Sequence, residues 1–196
     1  NNIKKVLLWF SIATILENKK SNLRFQFDRY KKQSWDIEHI RSQADKYPIK
    51  EEKEKWIDDI LDFSKNQIEK TKIEKTKEEI LNMKDKEFKE FFTSVQKKIE
   101  ENESEGNFNK HNIGNLTLLD SKTNRGYGNA FFPIKRKTII ENDMKGTFIP
   151  ICTKNLFLKY YSENATDLQK WTKQDAKSYK SAILETFEEL KNGAKN

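Results

Sequence analysis

The chain has 196 residues and a formal net charge of +7, so it is long enough for one domain with a substantial apolar core. Its low hydrophobic content of 35% is offset by 12% aromatic residues, which argues against disorder. The single cysteine, Cys152, excludes an internal disulfide and a cysteine-based zinc site, and we therefore expect a reducing, cytoplasmic environment.

The first predicted element is a buried helix over residues 1–16, with Val6, Leu7, Phe10, Ile12 and Leu16 at helical spacing. The segment imitates a signal peptide, but no small-residue cleavage site follows it and it is too short to span a bilayer. No membrane association is therefore expected. Because the sequence starts without Met, we expect the chain to be a fragment of a longer protein.

Two short alternating runs predict strand structure within residues 25–40. Phe25 and Phe27 form the first run, and Trp35, Ile37 and His39 form the second. We assign residues 1–33 to the N-terminal helix and the approach to the strand. The first strand region is assigned to residues 34–45, ahead of the strand-breaking pair at 47–48.

Residues 46–110 are predicted to form a helical insertion whose charged side chains are a solvated surface. Residues 46–105 hold 14 Lys against 17 acidic residues, so the rest of the chain carries a net charge of +10. That basic surface suits a polyanion such as nucleic acid, although a solvated lysine-rich surface explains it equally well. The insertion has two apolar stripes: Trp56, Ile57, Ile60 and Leu61; and Phe88, Phe91, Phe92, Val95 and Ile99.

Residues 111–145 combine a turn, a strand, a loop and a helix. Asn112 and Gly114 indicate the turn, residues 116–119 a short strand, and residues 121–129 a loop. Pro133 is well placed to open a helix that continues to about Asp143.

The last region, residues 146–196, ends in a helix. Thr172 is its predicted N-cap, with Asp175 three residues later in the capping-box relation. Its predicted buried stripe consists of Tyr179, Ile183, Phe187 and Leu190.

Two separated motifs are informative when they are considered together. The first is the pair Glu38-His39, and the second is GNLTLLDSKTNRGYGN at 114–129, which is followed by the predicted basic helix. They resemble the HNH, or ββα-metal, endonucleases, and more closely the C-terminal nuclease domain of GmrSD-type modification-dependent restriction enzymes. The flanks RFQFDRYKKQSWDIEHI at 24–40 and FIPICTKNLFLKYYS at 148–162 are also similar to that family. The resemblance covers most of the chain.

The resemblance implies an α+β fold. A ββα-metal, or His-Me finger, core would carry the helical insertion between its strands and would lie between the N-terminal and C-terminal helices. In that family an acidic-His pair ends the first strand, an Asn opens the second, a further Asn or His begins the helix, and a Lys follows.

The same resemblance implies metal-dependent hydrolysis of DNA. His39 would be the general base, a role that suits an imidazole with an unperturbed pKa of about 6.5. Glu38 and Asn124 would bind Mg²⁺ or Mn²⁺ through hard oxygens. Asn115 would support the loop that carries His39. The parent protein would act in defence against phage or other foreign DNA, together with an N-terminal nucleotide-binding sensor domain.

Phosphate contacts are expected from Arg125 and from the basic helix, through Lys135 and Arg136, with Lys137 as a third candidate. Because consecutive helical residues diverge, we expect one of the three helix cations to be only solvated. Asn129 is a reserve ligand. His111 is interpreted as a loop residue, Cys152 as a small buried hydrophobe, and Trp35, Trp56 and Trp171 as packing residues.

Each site residue also has a plain structural interpretation. Glu38 could be a surface strand carboxylate, and Asn115 and Asn124 could be turn or capping residues. The alternative function is accordingly a catalytically degenerate module that uses the same fold only to hold DNA or a partner domain.

Overall fold

The computed structural model describes residues 2–41, 47–48, 50–65, 73–103, 109–127, 130–163, 165, 168 and 170–193. Over these ranges the fold is α+β, as predicted: mostly helical, with one small antiparallel sheet of two strands. Within the same ranges there is no helix of the length and apolar character that crossing a membrane requires.

Helix α1 (Asn2–Glu17) confirms the predicted N-terminal helix. Its buried side faces α8 (Ile151–Phe157) and α9 (Lys173–Gly193), where the Trp9 ring stacks on Phe187 with centroids 4.0 Å apart. Leu16 was expected in the buried set but is 71% exposed. Leu16 lies in the last turn of the helix and is not among the residues that pack on the core.

The first of the two predicted strand runs is wrong. Phe27 begins a short helix, α2 (Phe27–Lys32), rather than belonging to a strand. Phe25 packs on Tyr30 and Phe148, with ring centroids 5.7 and 5.4 Å away. Two aromatic residues two positions apart fit a strand and this aromatic cluster equally well, so alternation over so short a run could not decide between them.

The second run is confirmed as β1 (Trp35–His39), which pairs with β2 (Leu116–Asp120). The register sets Trp35 opposite Asp120 and His39 opposite Leu116. Every residue of β2 is buried, including the polar Thr117 and Asp120 beside its three leucines. At one end of the hairpin, His39 pairs with Leu116, which lies 77 positions later in the chain. The residues between these two include the predicted insertion.

The described part of that insertion is helical, as expected, with α3 (Lys50–Lys65), α4 (Lys77–Leu81) and α5 (Asp85–Glu103). Thr76 begins α4 through a capping box with Glu79. The two stripes predicted from the sequence meet in two small apolar clusters, one built on Ile57, Ile80 and Phe88 and the other on Ile60, Val95 and Phe131. The side chain of Ile99 lies outside the described residues.

The loop predicted at 121–129 is wrong over its first seven residues, which form α6 (Ser121–Tyr127) directly after β2. The carboxylate of Asp120 accepts the Thr123 N–H at 2.9 Å and caps this helix. Asn124 and Gly126 are residue types that favour turns, so the sequence predicted a loop here. The Asp120 cap shows that a helix begins at this point instead. Residues 128 and 129, including the reserve ligand Asn129, lie outside the described ranges.

Helix α7 (Phe132–Met144) begins as predicted, with Pro133 in its first turn. Helix α9 is also confirmed: Thr172 and Asp175 exchange backbone-to-side-chain hydrogen bonds of 2.8 and 3.0 Å, which is the predicted capping box. Tyr179 and Ile183 of its stripe are buried. Cys152, Trp35 and Trp171 are buried as expected, and Trp56 packs partly buried against the insertion clusters.

The turn before β2 is packed against the start of α9. Residues Ile113–Asn115 form a single 3-10 turn that Asn112 caps by accepting the Gly114 N–H. Trp171 donates its indole N–H to the Gly114 carbonyl at 3.1 Å. A Cβ at Gly114 would collide with the Ala176 carbonyl, so only glycine permits this approach. The C-terminal helix thus fixes the position of Asn115.

Candidate active site at the end of the hairpin

His39 is the last residue of β1 and is partly exposed. Burial lowers the pKa of its imidazole, and the nearby positive charge of Lys135 and the proximity of His111 lower it further. The lowered pKa favours the neutral imidazole, the form that can accept a proton.

Glu38 points to the opposite, inner side and is only 6% exposed. Its carboxylate Oε1 lies 2.5 Å from the ammonium Nζ of Lys135, which comes from α7. The same ammonium donates to the main-chain carbonyl of His39 at 2.5 Å. This one lysine therefore ties α7 to the end of β1 through both members of the Glu38-His39 pair.

Lys135 is 1% exposed, although the sequence placed it on the surface as a phosphate contact. The pattern of three consecutive basic residues does not show which of them faces the interior, because that depends on how α7 packs. We assign Lys135 to Glu38 and His39 rather than to DNA.

The other two basic residues of α7 are Arg136 and Lys137, and their side chains point in different directions, as expected for neighbours on a helix. Lys137 is exposed and pairs with Asp62 of α3 at 3.2 Å. Arg136 is partly buried, and this burial lowers the pKa of its guanidinium. Its Nε is buried and has no hydrogen-bond partner among the described residues.

Asn115 is completely buried and joins three pieces of backbone. Its Oδ1 accepts the Arg41 N–H at 2.8 Å, and its Nδ2 donates to the carbonyls of Arg41 and Lys110, both at 2.9 Å. Its own carbonyl accepts the Ile40 N–H at 2.9 Å. The chain that leaves His39 is therefore held by Asn115, and the segment before β2 is held to it.

Asn124 and Arg125 lie on α6, which packs against both strands. The Ser121 N–H donates to the Ser34 carbonyl, so α6 starts at the end of the hairpin opposite His39. Asn124 is partly buried one turn into the helix. Arg125 is exposed, with its Nε donating to the Ser121 carbonyl at 3.1 Å. Its terminal guanidinium nitrogens extend from an exposed side chain and can reach a phosphate.

His111 is the residue that sequence reasoning missed. It lies in the loop where it was expected, but its ring centroid is 5.9 Å from that of His39, with the planes at 86°. The signal was its position four residues before Asn115. Since Asn115 holds both the Arg41 and the Lys110 backbone, it brings the residue after Lys110 next to His39.

The predicted ligands suit a hard divalent cation in their chemistry. Mg²⁺ is commonly bound by one or two carboxylates, waters and substrate phosphate, so Glu38 with the amide oxygen of Asn124 could hold it. The Glu38 carboxylate already bonds Lys135, and a cation there would have to share or displace that ammonium. Among the described residues there is no cluster of three or more His, Cys, Asp or Glu side chains that could bind a metal alone. Substrate oxygens would therefore have to complete the site.

Comparisons of this chain with protein-family models, with curated proteins and with solved structures find no match.

Proposed function

We propose that this chain is an HNH-type endonuclease domain that hydrolyses DNA phosphodiesters with the help of a divalent cation. The observation that supports this best is the way His39 is held. Asn115 fixes the backbone two residues after it, and Lys135 fixes its own carbonyl. A general base must be fixed relative to its substrate, and two independent clamps on one half-exposed histidine meet that need.

In the proposed reaction, His39 accepts a proton from a water molecule. The water oxygen bonds to phosphorus while the bond to the 3′ oxygen breaks. The products are a 5′-phosphate and, once the leaving oxygen has gained a proton, a 3′-hydroxyl. Arg125 binds a neighbouring phosphate through its exposed side chain, and the partly exposed Arg136 is a second candidate for such a contact.

Glu38 and Asn124 would hold Mg²⁺ or Mn²⁺, which supplies positive charge for the negative charge that develops on the phosphate and the leaving oxygen. Lys135 is a positioning residue: it neutralises the buried carboxylate of Glu38 and fixes the end of β1. The strands, α6 and these side chains follow the order that the ββα-metal fold requires, which supports that finer assignment of the fold.

By the same resemblance, we extend the proposal to the parent protein. It would restrict foreign DNA, and the nucleotide-binding sensor domain on another part of it would be this domain's partner.

A degenerate, binding-only module is the second candidate. The observation that favours it is the Glu38–Lys135 ion pair, because that pair engages the carboxylate on which a cation would depend. Under this alternative the chain retains DNA through its basic surface but never cuts it.

Plasmid nicking separates the two functions. We expect the wild-type chain to relax supercoiled plasmid with Mg²⁺ or Mn²⁺ and not with EDTA, and we expect His39→Ala to lose at least about a hundredfold in rate, the scale of general-base catalysis. Lys177→Ala, on the exposed side of α9, is the control and should cut like wild type.

DNA retention is measured in parallel on the same proteins. Equal retention without metal-dependent cuts in any of them, with the sensor domain supplied as well, would establish the binding-only module. Cutting by His39→Ala at the wild-type rate would remove His39 from the proposed mechanism.

A further inference from the structure

The two histidines of this chain lie side by side. The proposed nuclease chemistry uses His39 as general base but gives no role to His111 or to the contact between the two rings. The ring centroids of His39 and His111 are 5.9 Å apart, and the rings are nearly perpendicular. His39 is partly exposed and His111 is exposed, so solvent reaches the pair from the His111 side.

This spacing is close to that of two imidazoles that share one tetrahedral ion. With Zn–N bonds of about 2.0 to 2.1 Å, a ring centroid lies roughly 3.2 Å from the metal, so two such rings at the tetrahedral angle lie roughly 5.2 Å apart. The observed separation of 5.9 Å is roughly 0.7 Å larger. The exposed His111 ring can close this difference by a small rotation of its side chain.

The backbone is built to keep the two rings together. Asn115 bonds the carbonyl of Lys110, next to His111, and both main-chain polar groups of Arg41, two residues after His39. Asn109 accepts the His111 N–H through its side-chain oxygen at 3.0 Å. A chelate benefits from such order, because the cost of bringing its ligands together has already been met by folding.

We propose that His39 and His111 form a binding site for a borderline transition-metal ion such as Zn²⁺, Ni²⁺ or Cu²⁺, with water completing the coordination. Imidazole nitrogens prefer these ions, whereas carboxylate and amide oxygens suit Mg²⁺ and Mn²⁺, so the site is chemically distinct from the one proposed at Glu38 and Asn124. If His39 is the general base, an assignment that rests on the proposed function, an ion on its ring nitrogen blocks hydrolysis. The site is then inhibitory.

The composition of the chain makes the test specific. It contains two histidines and one cysteine, and that cysteine is buried. The imidazole region of an NMR spectrum of the untagged protein therefore contains two spin systems. We expect Zn²⁺ to shift both of them with one-to-one stoichiometry, and Mg²⁺ at the same concentration to shift neither.

Affinity is measured by competition with a chromophoric chelator at pH 7.5. His111→Gln and His39→Gln should each weaken Zn²⁺ binding by at least about tenfold, the scale of losing a metal contact. Lys110→Gln, next to His111, is the matched control and should bind like wild type. Because His111 is exposed, His111→Gln should fold, and circular dichroism checks this.

Binding of unchanged strength in His111→Gln, or a Zn²⁺ shift confined to one imidazole, would overturn the proposal. These measurements need neither DNA nor turnover, so they stand whether or not the chain cuts. If it cuts, Zn²⁺ should inhibit the wild type and should inhibit His111→Gln only at about tenfold higher concentration. Equal inhibition of both would disprove the inhibitory role while leaving the nuclease assignment intact.

Discussion

Gly114 shows how far the candidate site depends on a single missing methyl group. The first turn of α9 approaches this glycine so closely that a Cβ would overlap the Ala176 carbonyl, which is backbone and cannot rotate away. Neighbouring Asn115 carries the hydrogen bonds that hold the His39 loop. A displacement at Gly114 therefore reaches the site directly.

We predict that Gly114→Ala lowers the free energy of unfolding by about 1 to 3 kcal/mol, the usual cost of overpacking a tight contact. Gly126→Ala is the control, because nothing lies within 4 Å of a Cβ there, and it should be neutral or slightly stabilising. Urea denaturation of both variants decides the matter. Identical midpoints for Gly114→Ala and wild type would show that α9 moves aside without cost.

At the scale of elements, the buried Glu38–Lys135 pair connects β1 to α7. We predict that Glu38→Gln and Lys135→Met each cost about 3 kcal/mol of stability, because each leaves one buried charge unpaired. The double variant should cost clearly less than the sum of the two single changes.

The exposed pair Asp62–Lys137 serves as the control for this double-mutant cycle, since Lys137 lies on the same helix. Its coupling should stay below about 1 kcal/mol, as for surface ion pairs generally. If chemical denaturation gives additive effects for Glu38 and Lys135, the pair does not hold α7 in place.

A second buried pair joins α8 to α9. The Lys159 ammonium lies 2.5 Å from the Asp175 carboxylate, and Lys159 has the left-handed φ of 64° just after α8 ends. Burial acts to raise the pKa of Asp175, but the hydrogen bonds from the Lys159 side chain and the Thr172 backbone, together with the positive charge of Lys159, outweigh it, and the net pKa is lowered.

A lowered carboxyl pKa gives this pair a defined pH dependence. The stabilisation is complete above the unfolded pKa, about 3.9, and is lost as the pH falls through the lower folded value. We predict that Asp175→Asn costs about 3 kcal/mol at pH 7. This difference from wild type should shrink below about pH 4. Urea titrations from pH 7 to pH 3 test this, and a constant difference across that range would contradict it.

For the whole molecule, the basic charge outside residues 46–105 predicts a salt-dependent contact with DNA. We expect Arg125→Ala to weaken DNA binding and to reduce the slope of log affinity against log salt by about one, as for the loss of one phosphate contact. Lys177→Ala removes the same charge from the exposed side of α9 and should leave the slope unchanged. Fluorescence anisotropy over a salt series measures both.

The sequence predicted those parts of the fold whose signals are local. The alternation around Ile37, the apolar run of β2, Pro133 at the start of α7 and the Thr172 cap all lie within a few residues of the elements they define. Helix α6 was missed because its cap lies in the preceding strand, at Asp120.

The burial of Lys135 and the meeting of His39 with His111 could not be predicted in the same way. Both depend on which side of an element faces another element far away in the chain. A pattern of residue types along the sequence carries no information about that choice until the packing is known.

The long separation between the two strands has a consequence for the order of events during synthesis. His39 leaves the ribosome 77 residues before its strand partner Leu116, and the turn beside Leu116 is anchored by Trp171 and the first turn of α9. Such distant pairings form late, since the loop must close before any contact compensates for the lost chain entropy. A nascent chain that stalls before α9 emerges therefore lacks the contacts that hold this turn, and with it Asn115, in place.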